Sequence, residues 1–233
     1  MSGFFTQLLR VGYAVLPGFL ESGEVDLIAH RADDIDTGCA GTRHMLDVSW
    51  CSDLAERLMA DARFREAGPE YPHPVQCTLF TKSPNRNWLV SLHQDLNIPV
   101  AERVAGGQFL GWSEKGGDVF VQPPVEVLQG LLAVRVHLDD CDERNGALRV
   151  VPGSHQLGRL TAGDASKTRE TRGEVIVPVP RGGVMLMKPL LLHASSKSLV
   201  DSPRRVLHFV FGPETLPAPL RWPIRERSFP NDG

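Results

Sequence analysis

SLHQD, residues Ser91 to Asp95, is the stretch of sequence around which the rest of the chain is organised. Side chains two residues apart in a strand project to the same side, so His93 and Asp95 would bind one cation together. With a second histidine they would form a 2-His-1-carboxylate facial triad, which leaves half of an octahedral ion open and is typical of non-haem Fe(II) oxygenases. An isolated HxD pattern often arises by chance, so the remaining sequence has to supply the other parts of the site.

The best candidate for the second histidine is His193, which ends the apolar run Leu190 to Leu192. A histidine in such a position is more often a satisfied core residue, and the chain offers His137, His155 and His208 as further candidates. What favours His193 is the pair of polar residues that follows it.

Ser195 and Arg204 follow His193 in a pattern that suits an anionic co-substrate. A free carboxylate is bound bidentately by an arginine, and a hydroxyl adds one more hydrogen bond. Strand alternation separates Arg204 from its neighbour Arg205, because Arg204 shares a face with His208 whereas Arg205 shares the other with Phe209. In isolation, Arg204 would be interpreted as a surface charge.

The pattern of apolar residues predicts helices first and many short strands afterwards. The predicted helices are Phe4 to Arg10, Glu21 to Asp34 and Leu54 to Phe64, and the predicted strands are Tyr13 to Leu16, Val75 to Phe80, Trp88 to His93, Leu131 to Leu138, Ala147 to Val151, Val175 to Val179, Val184 to Met187 and Arg205 to Phe211. We therefore expect a mainly β protein: a double-stranded β-helix (jelly-roll) core with flanking N-terminal α-helices, in one domain spanning residues 1–233.

Three connecting segments are predicted to be irregular. They are Leu96 to Pro123, expected to form a lid over the site; the polar stretch Arg159 to Thr171, expected to be flexible; and the tail from Pro213 to Gly233. A long connection inside a compact domain is usually functional or mobile, which is why the first of them is interpreted as a lid.

Composition narrows the class of protein. Of the 233 residues, 42% are hydrophobic and 23% charged, which is ordinary globular usage, and a net charge of −3 disfavours nucleic acid as the main partner. The four cysteines lack CxxC spacing and are interpreted as reduced thiols. No stretch approaches the roughly 18 apolar residues of a membrane span, so we expect a soluble, cytoplasmic protein without membrane contact. The sequence does not specify an oligomeric state.

Several motifs together resemble the phytanoyl-CoA dioxygenase family, a branch of the Fe(II)/2-oxoglutarate dioxygenases. They are HQD at His93 to Asp95, NGALRVVPGSH at Asn145 to His155, His193 followed by Ser195 and Pro203-Arg204-Arg205, and the opening GYAVLPGFL at Gly12 to Leu20. The resemblance extends from about Gly12 to Phe211. The second motif is interpreted as a turn and strand that shape the barrel.

The resemblance implies Fe(II) bound by His93, Asp95 and His193, with 2-oxoglutarate and O2 as co-substrates. The iron would be chelated by the keto and C1 carboxylate groups of 2-oxoglutarate, and the distal carboxylate would pair with Arg204 and Ser195. In halogenating members a small residue replaces the aspartate and leaves room for chloride. Because Asp95 is present, the sequence predicts hydroxylation, which requires no protein general base.

The candidate substrate contacts are Arg135, His137, Lys82 and Trp112. Arg135 and His137 share one face of a strand whose other face is apolar. That polar face meets either the metal cavity, where Arg135 would favour a small anionic substrate, or solvent and a covering loop. Lys82 is expected near the mouth of the site, and Trp112 is either a lid contact or a packing anchor.

Two other functions use the same metal ligands. One is a zinc-dependent hydrolase or isomerase with a metal-bound water, and the other is a non-catalytic jelly-roll protein that binds a ligand without turnover. The zinc enzyme would not require an arginine and a serine placed for a dicarboxylate, and the binding protein would keep its ligand after removal of the metal. The spacing of Ser195 and Arg204 favours the oxygenase.

Overall fold

The structure is a computed structural model that describes residues 3–35, 41–67, 73–83, 85–105 and 109–224. The helices are α1 Gly3–Val11, α2 Ser22–Asp33, α3 Ser49–Ala60, α4 Ala62–Ala67, α5 Val125–Gln129 and α6 Ala162–Arg172. The strands are β1 Tyr13–Leu16, β2 Gly41–Thr42, β3 His73–Lys82, β4 Val90–His93, β5 Ile98–Val100, β6 Leu110–Lys115, β7 Asp118–Gln122, β8 Leu132–His137, β9 Leu148–Val150, β10 Val175–Val177, β11 Val184–Met187, β12 His193–Ser195 and β13 Arg204–Gly212. None of the helices in these ranges is long and apolar enough to cross a membrane.

Two antiparallel sheets form the core. One has the strand order β1-β11-β8-β13-β3-β2 and the other β10-β9-β12-β4, and a single cavity is lined by residues of both sheets. The strands of each sheet are far apart in sequence, as expected when a chain winds between two sheets. The predicted jelly roll is confirmed.

The first four helices pack on the outer face of the larger sheet. Alternate residues of its central strands, among them Val134, Val136 and Leu207, join the helices in one apolar core. The opposite residues of the same strands therefore face the interior between the sheets. The polar face of β8 therefore meets the interior cavity and not solvent, since Arg135 lines that cavity.

Strand register sets the interior face of the larger sheet. β13 pairs with β3 and β8, which places Arg204 opposite Lys82 and places His208 between Thr78 and Arg135. Arg205 points to the other face, where it contacts Asp139 and, on α2, Asp33. The predicted separation of the two neighbouring arginines is confirmed.

Two of the predicted irregular segments contain regular structure. Leu96 to Pro123 holds the three-stranded sheet β5-β7-β6, although its residues 106–108 lie outside the described chain. The polar stretch from Arg159 forms α6, because the Thr161 hydroxyl accepts the Asp164 backbone N–H and caps a helix that buries only Ala165. A helix with so small an apolar face leaves no periodic signal. Residues 225–233 of the tail are not described.

Candidate metal centre

Two neighbouring strands bring the predicted metal ligands together. His93 ends β4, His193 begins β12, and the two are directly paired in the sheet, while Asp95 follows β4. One ligand atom from each of the three residues lies within 4.8 Å of the others, and this is the only such group among the residues that the structure describes. The Nε2 atoms of His93 and His193 lie 3.6 and 3.8 Å from the Asp95 carboxylate oxygens.

Each histidine is oriented by the backbone two residues before it. His93 Nδ1 lies 2.8 Å from the Ser91 carbonyl, and His193 Nδ1 lies 2.9 Å from the Leu191 carbonyl. A carbonyl only accepts, so each Nδ1 carries the proton and each Nε2 keeps a free lone pair toward Asp95. Fixing the tautomer through the second nitrogen is a regular feature of metal-binding histidines.

The protonation states suit a divalent cation. Burial lowers the pKa of His193 to about 4, which keeps the imidazole neutral. Burial alone would raise the pKa of Asp95, but the surrounding imidazoles hold it well below its usual range. Burial alone would lower the pKa of His93, but the hydrogen bond and charge of Asp95 raise it. The site therefore presents a carboxylate and a neutral His193, and a bound metal would replace the proton that Asp95 favours on His93, since metal ligands must be deprotonated.

Gln94, between the two ligands of the HQD motif, fixes the chain that follows β4 through its side-chain amide. Its amide donates to the carbonyls of Gly158 and Leu190, and its oxygen accepts the backbone N–H of Leu160. Three hydrogen bonds from one buried amide fix the segment that carries both His93 and Asp95.

A further histidine, His208, lies beside the centre and was only a rival metal ligand at the sequence level. Its Nε2 is 3.8 Å from Asp95, and its Nδ1 is 3.0 Å from Arg135 Nη1. Since a guanidinium only donates, His208 accepts at Nδ1, and its proton is on Nε2, directed toward Asp95. Burial lowers its pKa to about 3. In the sequence, His208 shares a strand face with Arg204, and this alternation is the signal that would have placed His208 in the site.

Arg204 and Ser195 meet at the carbonyl of Gly146. Arg204 Nη1 and the Ser195 hydroxyl donate to it over 2.5 and 2.8 Å, and Arg204 Nε has no partner among the described residues. Arg204 and Ser195 also line the cavity that contains the metal ligands. The cavity wall thus contains an arginine and a hydroxyl, the donor types that bind a carboxylate.

The motif from Asn145 to His155 shapes this region, as predicted. Gly146 has a φ of 82°, which only glycine adopts readily, and this turns its carbonyl toward Arg204. Ser154 accepts the backbone N–H of Leu192 over 2.8 Å and so supports the residue before His193. His155 packs against Gly12 and the Leu9 carbonyl, away from the cavity.

The prediction for Lys82 was wrong in its location. Lys82 is fully buried, and its Nζ donates to the Ser195 hydroxyl over 2.7 Å and to the Ser196 carbonyl over 2.5 Å. Its position at the end of β3, directly opposite Arg204, draws it inside the barrel and away from the mouth.

The other three candidate contacts differ in their placement. Arg135 lines the cavity, whereas His137 lies on the same strand face, fully buried, with neither ring nitrogen bonded within the described chain. Trp112 does not line the cavity: it packs edge-on against Phe109, with the Arg103 guanidinium over its ring. That placement corresponds to a packing anchor, because Trp112 packs against the apolar cluster that includes Ile98 and Val121.

The cavity measures about 360 Å³ and has a strongly basic lining. Besides the metal ligands, its described lining includes the cations Arg43, Lys115, Arg135 and Arg204 and the aromatic rings Phe80, Trp88 and Phe120. Asp95 is the sole carboxylate among these lining residues. A bound metal would engage the Asp95 carboxylate, so the cationic side chains of the lining would be left to pair with anionic ligands.

Comparison with known proteins gives one family. The model of the family described as phytanoyl-CoA dioxygenase (PhyH) matches residues 8–206. Phytanoyl-CoA dioxygenase domain-containing protein 1 of Bos taurus is 26% identical over 206 residues, which cover 80% of this chain and 62% of that protein. The chain thus spans less than two thirds of that relative.

Solved structures share the fold. The non-haem alpha-ketoglutarate-dependent carbocyclase SnoK from nogalamycin biosynthesis superposes with a TM-score of 0.69 at 17% identity, covering 97% of this chain and 88% of its own. EctD from S. alaskensis, solved with 2-oxoglutarate and 5-hydroxyectoine, superposes with a TM-score of 0.66 at 19% identity, covering 91% and 76%. At these identities the likeness establishes the fold alone.

Proposed function

This chain belongs to the phytanoyl-CoA dioxygenase family, and from that premise we propose that it is an Fe(II)- and 2-oxoglutarate-dependent dioxygenase that hydroxylates a small anionic molecule. One observation carries the proposal. A His-Asp-His group and a buried arginine–serine pair, His93, Asp95, His193, Arg204 and Ser195, line the same cavity. Family membership alone would not specify the reaction, because function depends on the residues of the site and not on the fold.

The residues fit the metal and the co-substrate. Two imidazoles and one carboxylate on one side of a cation would leave its other positions open, as a facial triad requires. Arg204 lines the cavity and forms no ion pair with a carboxylate among the described residues, so a carboxylate bound there would gain a charge-assisted hydrogen bond. The relative EctD was itself crystallised with 2-oxoglutarate.

When bound, iron, 2-oxoglutarate and O2 supply the oxidising chemistry, with succinate and carbon dioxide as co-products. The protein's own residues perform positioning. His93, Asp95 and His193 would hold the cation on one face, and Arg204 would bind the distal carboxylate of the co-substrate. Ser195, whose hydroxyl donates to the Gly146 carbonyl, would turn its proton toward that carboxylate. The rings that line the cavity would give a substrate an apolar surface to pack against. No side chain is assigned as a general base.

The charge balance of the cavity favours an anionic substrate. Once Asp95 binds the metal and Arg204 binds the co-substrate, Arg135 remains inside with an unpartnered Nε, and Arg43 and Lys115 remain at the lining. A carboxylate or phosphate on the substrate would pair with Arg135 and direct a C–H bond toward the metal.

Asp95 supports hydroxylation over halogenation. A carboxylate occupies the third protein position at the metal, where the family's halogenating members leave room for chloride. A substrate carbon would lie on the side of the cation that the three protein ligands leave open, inside the cavity that Arg135 and the aromatic rings line. Product with one added oxygen is therefore the expected outcome.

The test is a paired substrate screen with anaerobically purified, Fe(II)-loaded protein, 2-oxoglutarate and then O2. Matched pairs consist of a small carboxylic acid and its uncharged amide. We expect succinate formation that increases with the acid of at least one pair and not with its amide, together with a product one oxygen atom heavier. A metal-loaded, folded protein that hydrolyses substrates without 2-oxoglutarate would contradict the proposal and indicate zinc hydrolase chemistry. Ligand binding that survives metal removal without turnover would indicate a binding protein.

A further inference from the structure

Two cationic side chains lie next to each other inside the barrel. Lys82 on β3 and Arg204 on β13 are direct partners in the sheet and face the same interior side, and both are almost completely buried. Ser195 bridges them, because its hydroxyl accepts from Lys82 and donates to the carbonyl that also accepts from Arg204.

The groups that face Lys82 supply no negative charge. β13 contributes Arg204, β8 contributes Arg135 and His137, and the segment after β8 contributes the Cys141 thiol. β12 and the residue after it offer the Ser195 hydroxyl and the Ser196 carbonyl, and the Trp88 ring lies 5.4 Å from Nζ. Within the described chain, no carboxylate forms an ion pair with Lys82, Arg135 or Arg204.

This environment destabilises the charged form of Lys82. Burial, reinforced by Arg204, lowers the pKa of Lys82 from 10.5 to about 7. A neutral amine has two N–H donors and one lone pair. Both donors are engaged, by the Ser195 hydroxyl and the Ser196 carbonyl. Protonation would therefore create a third donor that no described protein group uses.

We propose that Lys82 is a second cation of the co-substrate site: its amine takes up one proton from solvent when a dicarboxylate binds beside Arg204, and the ammonium then donates to the distal carboxylate. The inference rests on the proposed use of 2-oxoglutarate and goes beyond it, since it assigns a residue and a coupled proton. An anion within about 4–6 Å stabilises an ammonium, and the anion in turn gains a third donor.

The coupling selects the co-substrate by charge. A 2-oxo acid whose far end is uncharged would leave Lys82 neutral and would gain nothing from Arg204. Lys82 is thus a specificity-determining residue for the distal carboxylate, and its contribution is separable from that of the metal ligands, which bind the other end of the molecule.

The experiment is isothermal titration calorimetry of full-length protein loaded with Mn(II), which binds the co-substrate without turnover. 2-Oxoglutarate is titrated at pH 8 in buffers of different ionisation enthalpy, and the slope of the observed enthalpy gives the protons taken up. At pH 8 roughly one Lys82 amine in ten is protonated when the pKa is about 7. We expect uptake approaching one proton for the wild type and none for 2-oxopentanoate, which has a methyl group in place of the distal carboxylate.

Two variants identify the proton acceptor. Lys82→Met is expected to bind 2-oxoglutarate at least tenfold more weakly and without proton uptake, whereas the exposed helix variant Lys167→Met should behave like the wild type. The wild-type comparison of the two oxo acids needs no variant, so a misfolded Lys82→Met leaves the test intact.

The outcomes distinguish the two proposals. Binding of 2-oxoglutarate with no proton uptake, or with the same uptake by Lys82→Met, would overturn the role of Lys82 and leave the oxygenase assignment standing. Failure of 2-oxoglutarate to bind metal-loaded wild-type protein would overturn both.

Discussion

Arg204 and Arg205 are neighbours, but their substitution by methionine should affect different properties. Arg205→Met should lower the stability of the fold, whereas Arg204→Met should weaken 2-oxoglutarate binding. Arg205 is 12% exposed and forms a bidentate pair with Asp139, which is 18% exposed, through bonds of 2.9 and 2.7 Å. It also donates to the Ala29 carbonyl and to Asp33 on α2. Arg205→Met would remove this link between α2 and the sheet and leave Asp139 unpaired.

The magnitude follows from the exposure of each partner. Asp33 is 63% exposed, so that ion pair contributes at most about 1 kcal/mol. Loss of the largely buried pair with Asp139 and of the bond to Ala29 contributes more, and we expect a total of about 3 kcal/mol, with the residual backbone bond from Arg205 N–H to Asp139 retained. For a chain of this size, that loss lowers the Tm by roughly 6–12 °C.

Arg204→Met should change stability little, since it removes a buried cation without a counter-ion among the described residues. It should weaken 2-oxoglutarate binding by about 2–4 kcal/mol, or roughly 30- to 1,000-fold in Kd. Thermal and denaturant unfolding, together with calorimetric titration of metal-loaded protein, measure both effects, and Arg65→Met on the exposed face of α4 is the matched control. The reasoning is refuted if Arg205→Met keeps wild-type stability while weakening 2-oxoglutarate binding more than Arg204→Met does.

Three further predictions concern the interior of the barrel. Because Lys82 has its pKa lowered to about 7 in the fold, the folded protein binds fewer protons than the unfolded chain from about pH 7 to 10. The free energy of unfolding without co-substrate should therefore rise by roughly 2–4 kcal/mol over that interval, and denaturant titrations of Lys82→Met should lose this rise. Gly146→Ala should weaken 2-oxoglutarate binding more than tenfold by calorimetry, because its Cβ would lie 2.5 Å from the Ser196 carbonyl oxygen. The control is Gly173→Ala, which has a similar φ but open space around the new Cβ, and it should cost only about 1–2 kcal/mol of stability and no affinity. Arg135→Met should keep substrate-free succinate formation while the stimulation by an anionic substrate falls toward none; stimulation at the wild-type level would exclude Arg135 from substrate binding.

Local patterns were sufficient to predict the parts of the site that depend on one strand at a time. The i, i+2 spacing of His93 and Asp95 and the alternation that separates Arg204 from Arg205 follow from strand geometry, and the structure places all four side chains as that geometry requires. The apolar face of β8 likewise predicted a buried strand, although only the packing of the helices decides which face is interior.

The features that sequence reasoning missed depend on pairing between distant strands. Nothing local in the neighbourhood of Lys82 shows that it lies opposite Arg204, because that depends on the register of β3 against β13. The same pairing brings His208 beside Arg135. The strands within Leu96 to Pro123 were not predicted, because a bulged strand such as β6 gives no clean alternation.

The central claim is that His93, Asp95 and His193 hold a metal that chelates 2-oxoglutarate, and the most direct test is visible absorption of anaerobic protein with Fe(II) and 2-oxoglutarate. The account predicts a weak metal-to-ligand charge-transfer band in the wild type, absent from His93→Ala, and slow formation of succinate once O2 is admitted. Folded protein that binds Fe(II) yet shows neither the band nor succinate would contradict the assignment.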